Sequence, residues 1–170
     1  MNKFKISLIL QCLVFLIPIN IYVIGDWLGT GVQWALFRYQ QTYLGNSLIL
    51  VTRYITLVLN GTISGRGAIS LILWAVGVLL FIIATILVIR ANTRKDSSLI
   101  KKASLITITG GIMIAISIPV QYGFLLNNPS GFAIPVGIPV ILIIGWWMYS
   151  SMTDSDERDN KPEEESSGQE

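Results

Sequence analysis

Asp26, Arg38 and Arg53 are the residues of this chain whose type and position could anchor a binding surface. All three fall in residues 25–67, a stretch that separates two long apolar runs. An ionisable side chain among apolar neighbours at the level of a membrane is a candidate functional group. We interpret the three as candidate interaction anchors above an apolar floor. The alternative is that Arg53 extends its charged end from an interfacial helix towards lipid headgroups.

Composition restricts the chemistry that such residues could perform. The chain has no His and a single Cys, Cys12, which excludes a His general base, a Cys–His pair, His-containing zinc sites and an intrachain disulfide. The sequence contains no phosphate-binding loop and no pair of catalytic carboxylates. We therefore predict that the chain is not an enzyme, with no catalytic, cofactor-binding or metal-binding residue and no nucleic-acid partner. The remaining catalytic hypothesis is a lipid-directed enzyme that uses Asp26 with Arg38 or Arg53.

Long apolar helices are the elements expected to position these residues. Hydrophobic residues make up 52% of the chain and charged residues 13%, whereas a soluble domain carries about 25% charged residues. Four runs are long and apolar enough to cross about 30 Å of hydrocarbon, at residues 6–24, 69–89, 103–126 and 132–149. We predict an all-α membrane protein with four transmembrane helices in a domain of residues 1–150, a multi-pass protein of the cell membrane.

Basic residues set the predicted orientation. Residues 90–102 contain five Lys or Arg residues, and short loops rich in these residues stay in the cytoplasm. Both chain ends are then cytoplasmic (N-in, C-in), and residues 25–67 lie outside. Eight of the ten acidic residues fall in residues 151–170. This polar segment cannot bury enough apolar surface to fold, so we predict a disordered acidic cytoplasmic tail.

Between the first and second spans we predict an extracytoplasmic amphipathic helix at residues 47–59. As a helix this stretch reaches only about 20 Å, too short to cross, and its polar residues share one face. A re-entrant or spanning path is the alternative. Residues 32–44 are a predicted companion helix. Asn60, Gly61 and Thr62 form a sequon that makes Asn60 a candidate glycosylation site, although Asn-Gly is also a common turn.

Small residues predict where the helices pack, because transmembrane helices associate through small and polar side chains. The third predicted span has Thr107, Gly111 and Ala115 at a four-residue spacing. The fourth has Ala133 and Gly137 at the same spacing. We expect these two helices to pack closely against each other.

A resemblance accompanies these features. The acidic tail, together with the run from Ala133 to Gly137 (AIPVG) and the run from Gly145 to Tyr149 (GWWMY), resembles small polytopic membrane proteins of halophilic archaea whose function is uncharacterised. The resemblance covers the last predicted span, the tail and the overall hydropathy plan. It implies a multi-pass membrane protein, and it transfers no site and no activity.

The function that these patterns favour is a non-enzymatic structural or accessory subunit of a membrane complex. Its partners would be the lipid bilayer and either a membrane protein or a second copy of the chain. A channel or transport component is the alternative, because prolines within the spans and the amides of Gln11, Asn20 and Gln121 could line a polar path. Such prolines are more often structural kinks, with the polar groups bonded to neighbouring helices. The lipid-directed enzyme described above is the second alternative.

Overall fold

The computed structural model describes residues 3–25, 28–129 and 131–159. The described chain forms five helices and one six-stranded sheet. Their bounds, in chain order, are α1 (Lys3–Leu16), β1 (Asn20–Ile24), β2 (Gly29–Gln33), β3 (Phe37–Thr42), β4 (Gly45–Leu50), α2 (Val51–Leu59), α3 (Gly65–Arg94), α4 (Ser97–Tyr122), β5 (Asn127–Asn128), β6 (Gly131–Ile134) and α5 (Ile138–Asp159). The strand order is β4-β3-β2-β1-β6-β5, and every neighbouring pair is antiparallel.

The pairing of β1 with β6 joins two distant parts of the chain. β1 follows α1, whereas β6 lies between α4 and α5. The sheet is therefore built at the ends of helices that come from both halves of the sequence. α3 and α4 run away from the sheet and back to it, so their short connection lies at the end of the pair that is remote from the sheet.

The prediction of an all-α fold with four transmembrane helices is wrong. A six-stranded antiparallel sheet stands beside the helices. Within the described residues, α3 and α4 are the two helices long and apolar enough to cross a membrane. α1 has 14 residues, and the apolar part of α5 covers only Ile138–Thr153.

Two of the predicted spans contain strands. Residues 6–24 form one apolar run, but α1 ends at Leu16, and Pro18 beyond it has no N–H with which to continue a helix. The residues that follow form β1, because β-branched and aromatic side chains favour extended backbone. Residues 132–149 likewise divide into β6 and the first part of α5. Hydropathy alone does not separate such a strand from the helix next to it.

The helices expected between α1 and α3 are largely strands. Residues 32–44, a predicted helix, contribute to β2 and β3. Burial in β3 changes from one residue to the next, which fits the two-residue period of a strand. Residues 47–50 belong to β4. The predicted amphipathic helix exists only as the nine residues of α2.

Part of the predicted tail is helical. The sequence predicts a disordered acidic tail from residue 151, but α5 continues to Asp159. The remaining residues, 160–170, lie outside the described ones.

α3 and α4 pack closely where two glycines meet. A Cβ atom on Gly77 would lie 2.9 Å from the carbonyl oxygen of Gly110, and a Cβ on Gly110 would lie 3.0 Å from that of Gly77. Helix backbones can approach this closely only where side chains are absent. On another face of α4, Gly111 lies against Ile141 and Leu142 of α5.

A hydrogen-bond network crosses the interior of the helices. Thr107 Oγ1 on α4 donates to Gln11 Oε1 on α1 at 2.8 Å. Gln11 Nε2 donates to the carbonyl oxygen of Phe81 and to Oγ1 of Thr85 on α3, each at 3.4 Å. Gln11 and Thr107 are fully buried. Because neighbouring helices satisfy the Gln11 amide, its contacts favour a structural role over a place in a polar path.

Candidate functional site

The side of the sheet that faces the helices carries a polar row. Asn20 of β1 lies opposite Gln33 of β2, and Gln33 lies opposite Arg38 of β3. Side chains of paired residues point to the same side of a sheet. Arg38 Nε donates to Gln33 Oε1 at 2.9 Å, and Asn20 Nδ2 donates to the same oxygen at 3.2 Å. Arg38 is only 6% exposed, so its charge is held beneath the sheet.

The next row leaves room for the ring of Tyr22. Tyr22 lies opposite Gly31, which lies opposite Gln40. A Cβ atom on Gly31 would collide with the Tyr22 ring, so the glycine provides the space in which this ring crosses β2. The Tyr22 hydroxyl donates to Gln40 Oε1 at 3.4 Å. Burial raises the pKa of the Tyr22 phenol, and the nearby Arg38 charge offsets only part of that rise, so Tyr22 stays protonated at neutral pH.

Three aromatic rings surround the Arg38 guanidinium. Its central carbon lies 4.8 Å from the ring centroid of Trp74 on α3, 5.2 Å from that of Tyr54 on α2 and 5.6 Å from that of Tyr22 on β1. A cation near the face of an aromatic ring is attracted by about 0.5–2 kcal/mol, more when it is desolvated. The sheet, α2 and α3 therefore converge on one buried cation.

The end of α4 completes the surroundings of Arg38. Gln121 Oε1 accepts a hydrogen bond from Arg38 Nη2 at 3.4 Å and one from Ser70 Oγ of α3 at 3.3 Å. Ser70 Oγ also lies 2.7 Å from the carbonyl oxygen of Ser117 on α4. Arg38 is thereby linked to both of the long apolar helices.

Arg38 has no acidic partner in the described part of the chain. Asp96 is the only acid whose side chain is described. It caps α4 by accepting a hydrogen bond from the Ser98 backbone N–H at 2.9 Å, at the end of that helix remote from the sheet. A buried charge without a counter-charge is costly. Since Arg38 donates to the neutral amides of Gln33 and Gln121, its surroundings remain positive.

Hydrogen-bond donors exceed acceptors around this cation. Among the buried atoms of the described residues, Trp74 Nε1 and Gln33 Nε2 are donors without a partner, and Asn20 Oδ1 is an acceptor without one. An arginine has five N–H donors, and the side-chain bonds of Arg38 use two of them. Within the described residues no group of three or more His, Cys, Asp or Glu side chains lies together. The arrangement suits an anion better than a metal cation.

A cavity of about 230 Å³ opens beside Arg38. Residues of the sheet, α2, α3, α4 and the segment before α3 line it: Tyr22, Ile24, Arg38, Gln40, Tyr54, Ile63, Gly67, Leu71, Gln121 and Tyr122. We call this cavity the Arg38 pocket. It combines one buried cation with phenol and amide groups, which is the pattern of a binding site with a few polar groups in a largely apolar wall.

The opposite side of the sheet carries an apolar row. Strand register aligns one apolar residue from each of five strands, in the order Ile134, Ile21, Val32, Tyr39 and Leu48. All but Val32 are exposed, from 37% for Tyr39 to 60% for Leu48. The exposed side of an antiparallel sheet normally carries polar residues. We call this row the apolar stripe.

The structure separates two of the three predicted interaction anchors. Arg38 is buried beneath the sheet, whereas Arg53 is exposed on α2. Asp26 lies outside the described residues. Asn60, the candidate glycosylation site, is exposed at the C-terminal end of α2. Gly61 follows it with a φ of 72°, which is the geometry of an Asn-Gly turn.

The predicted packing residues of α4 contact different neighbours. Thr107 bonds to Gln11 of α1, and Gly111 lies against α5. Ala115 is half-buried and lines a cavity together with Ile138 at the start of α5. α4 therefore packs between several elements, not along one partner helix.

Ala133 and Gly137 do not lie in a helix, which corrects the helix–helix contact predicted for them. Ala133 is buried in β6. Gly137 precedes α5, and a Cβ atom there would collide with the backbone of Pro18. These small residues allow the sheet and the start of α5 to approach the segment between α1 and β1.

The aromatic residues around Arg38 are absent from the sequence-based prediction. Tyr22, Tyr54 and Trp74 belong to three separate elements, and no local spacing links them. Only the register of β1, β2 and β3 brings Tyr22 near Arg38. The alternation of side chains in β3 gives no such signal, because it groups Arg38 with Gln40 on the polar side of the strand, and that side is the buried one.

No protein-family model and no curated protein matches the sequence. Function is therefore inferred from the geometry of this chain alone. The two features that bear on it are the Arg38 pocket and the apolar stripe, which lie on opposite sides of the same sheet.

Proposed function

We propose that this chain is a non-enzymatic membrane protein, an accessory or structural subunit that holds a partner protein on its sheet. α3 and α4 cross the membrane as a hairpin, because long helices with few charged residues are stable in hydrocarbon. Five basic residues between positions 90 and 102 keep the turn of this hairpin in the cytoplasm. The sheet, at the other end of the hairpin, then lies on the extracytoplasmic side.

The apolar stripe is the observation that carries this proposal. Five strands contribute to one continuous row, and exposed apolar surface of this kind marks sites of protein interaction. Leu50, paired with Phe37, adds a further exposed apolar side chain next to the row. β4 is also an edge strand, whose free backbone groups favour contact with another chain. The partner is a protein that presents a complementary apolar surface.

The distribution of acids supports the non-enzymatic part of the proposal. Residues 1–150 contain two acids, Asp26 and Asp96. Catalysis by a carboxylate pair requires two carboxylates near one substrate. Asp96 is engaged as the cap of α4, at the end of that helix remote from the sheet.

Size-exclusion chromatography with light scattering, on the chain extracted from its native membrane in mild detergent, tests the proposal. We expect a complex larger than one chain of 18.8 kDa. Tyr39→Glu or Leu48→Lys should dissociate the chain from this complex, because a charge in the apolar stripe opposes contact with an apolar partner surface. Thr30→Lys and Gln41→Lys are matched controls, since both residues are exposed in the next row on the same side.

The complex should survive both control substitutions. A wild-type chain that elutes alone, or a complex that persists in both stripe variants, would contradict the proposal. A mass equal to two copies of the chain would make the partner a second copy instead of another protein.

A further inference from the structure

We propose that the Arg38 pocket binds the phosphate group of an anionic lipid, and that the hydrocarbon chain of this lipid lies in an apolar groove between α2 and α3. The inference rests on the part of the proposed function that inserts α3 and α4 in the membrane. It does not depend on the apolar stripe or on a partner protein.

Charge is the first reason to expect an anion in the pocket. Arg38 is 6% exposed and has no acidic partner among the described residues. Its two side-chain acceptors are neutral amide oxygens. The N–H of Trp74, whose ring lies against the guanidinium, also lacks an acceptor. Of Arg38 and Trp74, only Arg38 lines the pocket, and an anion there would supply its counter-charge and accept from the N–H groups that the two amides leave unused.

Shape and chemistry favour a phosphate. The planar guanidinium donates pairs of hydrogen bonds that match the oxygens of phosphate groups. The phenols of Tyr22 and Tyr122 and the amide of Gln40 line the same cavity. Its volume of about 230 Å³ is below the range of about 300–1,000 Å³ that encloses a whole drug-sized ligand. The pocket therefore suits the head of a larger molecule.

An adjacent groove supplies the place for the rest of that molecule. It has a volume of about 340 Å³ and is lined by apolar side chains of α2 and α3, including Ile55, Val58, Ala75 and Val76. Leu71 lines both the groove and the Arg38 pocket. A free phosphate would use the pocket alone, whereas a lipid would use both. The two neighbouring cavities thus point to a lipid.

The position along the helices agrees with this assignment. Leu71 lies near the beginning of α3, and Gln121 lies near the end of α4. Both helices leave the hydrocarbon at this level, which is the depth of lipid headgroups. Arg38 is consequently placed where a lipid phosphate would be found.

Thermal unfolding of the purified full-length chain in detergent, followed by tryptophan fluorescence, tests the proposal. The additives are phosphatidylglycerol, a diacylglycerol with the same chains, and inorganic phosphate. We expect phosphatidylglycerol alone to raise the Tm of the wild type. Arg38→Gln and Ala75→Phe, which remove the cation and fill the groove, should each weaken the apparent affinity by at least about tenfold. Arg53→Gln, the same change at an exposed arginine, should leave the affinity unchanged.

Three results would overturn the proposal. If inorganic phosphate raises the Tm as much as phosphatidylglycerol does, the pocket is a site for a free anion. If diacylglycerol raises the Tm as much, the phosphate group is not recognised. Full lipid affinity in either pocket or groove variant would show that these cavities do not hold the lipid. If Arg38→Gln does not fold, Arg38→Lys replaces it, because Lys keeps the charge and loses the planar fork. The lipid test does not require a partner protein. Its result can therefore be interpreted even if chromatography detects no complex.

Discussion

The guanidinium carbon of Arg38 lies 4.8 Å from the ring centroid of Trp74. Arg38 belongs to β3 and Trp74 to α3, and both side chains are buried. The contact joins the sheet to the longest helix through a cation instead of through apolar side chains alone. The same cation is bonded to Gln121 of α4. Arg38 therefore takes part both in the contact of the sheet with the helix hairpin and in the proposed lipid site.

Gly31→Ala should destabilise the sheet. The added Cβ would collide with the ring of Tyr22 and would lie 2.8 Å from the carbonyl oxygen of Tyr39, so either the ring or β3 must move. We expect a loss of about 1–3 kcal/mol in the free energy of unfolding, as for other overpacked sites. Chemical unfolding in detergent measures it. Thr30→Ala, an exposed neighbour on the same strand, should change stability by less than about 0.5 kcal/mol, and an equal effect of the two substitutions would contradict the packing described for Tyr22.

Stability should fall above pH 10 in a way that depends on Tyr22. Burial raises the pKa of this phenol above its ordinary value of about 10. The unfolded chain then releases the proton at a pH where the folded chain still holds it, so the contribution of Tyr22 is complete below about pH 10 and is lost as the pH rises further.

The measurement is the Tm between pH 8 and pH 11. Tyr22→Phe cannot ionise and should lose stability less steeply than the wild type over that interval. Tyr43→Phe removes an exposed phenol, 79% accessible, and should follow the wild-type curve. Parallel curves for wild type and Tyr22→Phe would show that this phenol titrates at the same pH in both states.

Gly77→Ala and Gly110→Ala should each weaken the contact between α3 and α4. A Cβ at either position would lie within 3.0 Å of the other glycine's carbonyl oxygen, so the helices must separate. We expect a loss of about 1–3 kcal/mol for each. Gly67→Ala on the same helix is the control, since its Cβ would lie 3.4 Å from the Ile63 side chain. Unfolding curves that do not distinguish Gly77→Ala from Gly67→Ala would be inconsistent with this contact.

The long helices are the part of the fold that the sequence predicts well. Residues 69–89 lie within α3, because an uninterrupted apolar run of this length has few other solutions. The sheet is not predicted from the sequence. Its strands are short, and several lie in the same apolar run as a neighbouring helix, so hydropathy does not distinguish the strand from the helix. The pairing of β1 with β6 also joins Ile21 to Ile134. Local pattern contains no information about a pairing over such a distance along the chain.

The candidate site, like the fold, is predicted from the sequence only in part. Arg38 is predicted as an anchor because it is one of few charges in an apolar region. Whether it is exposed or buried depends on strand register, which also decides that Tyr22 and Gln33 lie beside it. Trp74 reaches it from α3 through tertiary packing. Arg38 can therefore be identified as a candidate from the sequence, but the residues that surround it are known only from the three-dimensional structure.

Thr107→Val should break the bond between α4 and α1. Thr107 Oγ1 and Gln11 Oε1 are 2.8 Å apart and buried, so removal of the hydroxyl leaves the amide oxygen without this donor. We expect a loss of about 0.6–2 kcal/mol. A double-mutant cycle with Gln11→Leu should give a coupling energy of similar size. The control is Thr109→Val, because the Thr109 hydroxyl is exposed and bonds only within its own helix. This substitution should show no coupling to Gln11→Leu. Absence of coupling between Thr107→Val and Gln11→Leu would contradict the hydrogen-bond network.

Cysteine accessibility in intact cells tests most directly the central claim, that α3 and α4 place the sheet outside the membrane and the turn of the hairpin inside. With Cys12→Ser as background, Asn46→Cys places a thiol on β4 and Ser98→Cys places one at the start of α4, both at exposed positions. We expect an impermeant maleimide to label position 46 in intact cells, and position 98 only after the cells are permeabilised. Labelling of both positions, or of position 98 alone, before permeabilisation would contradict the claim.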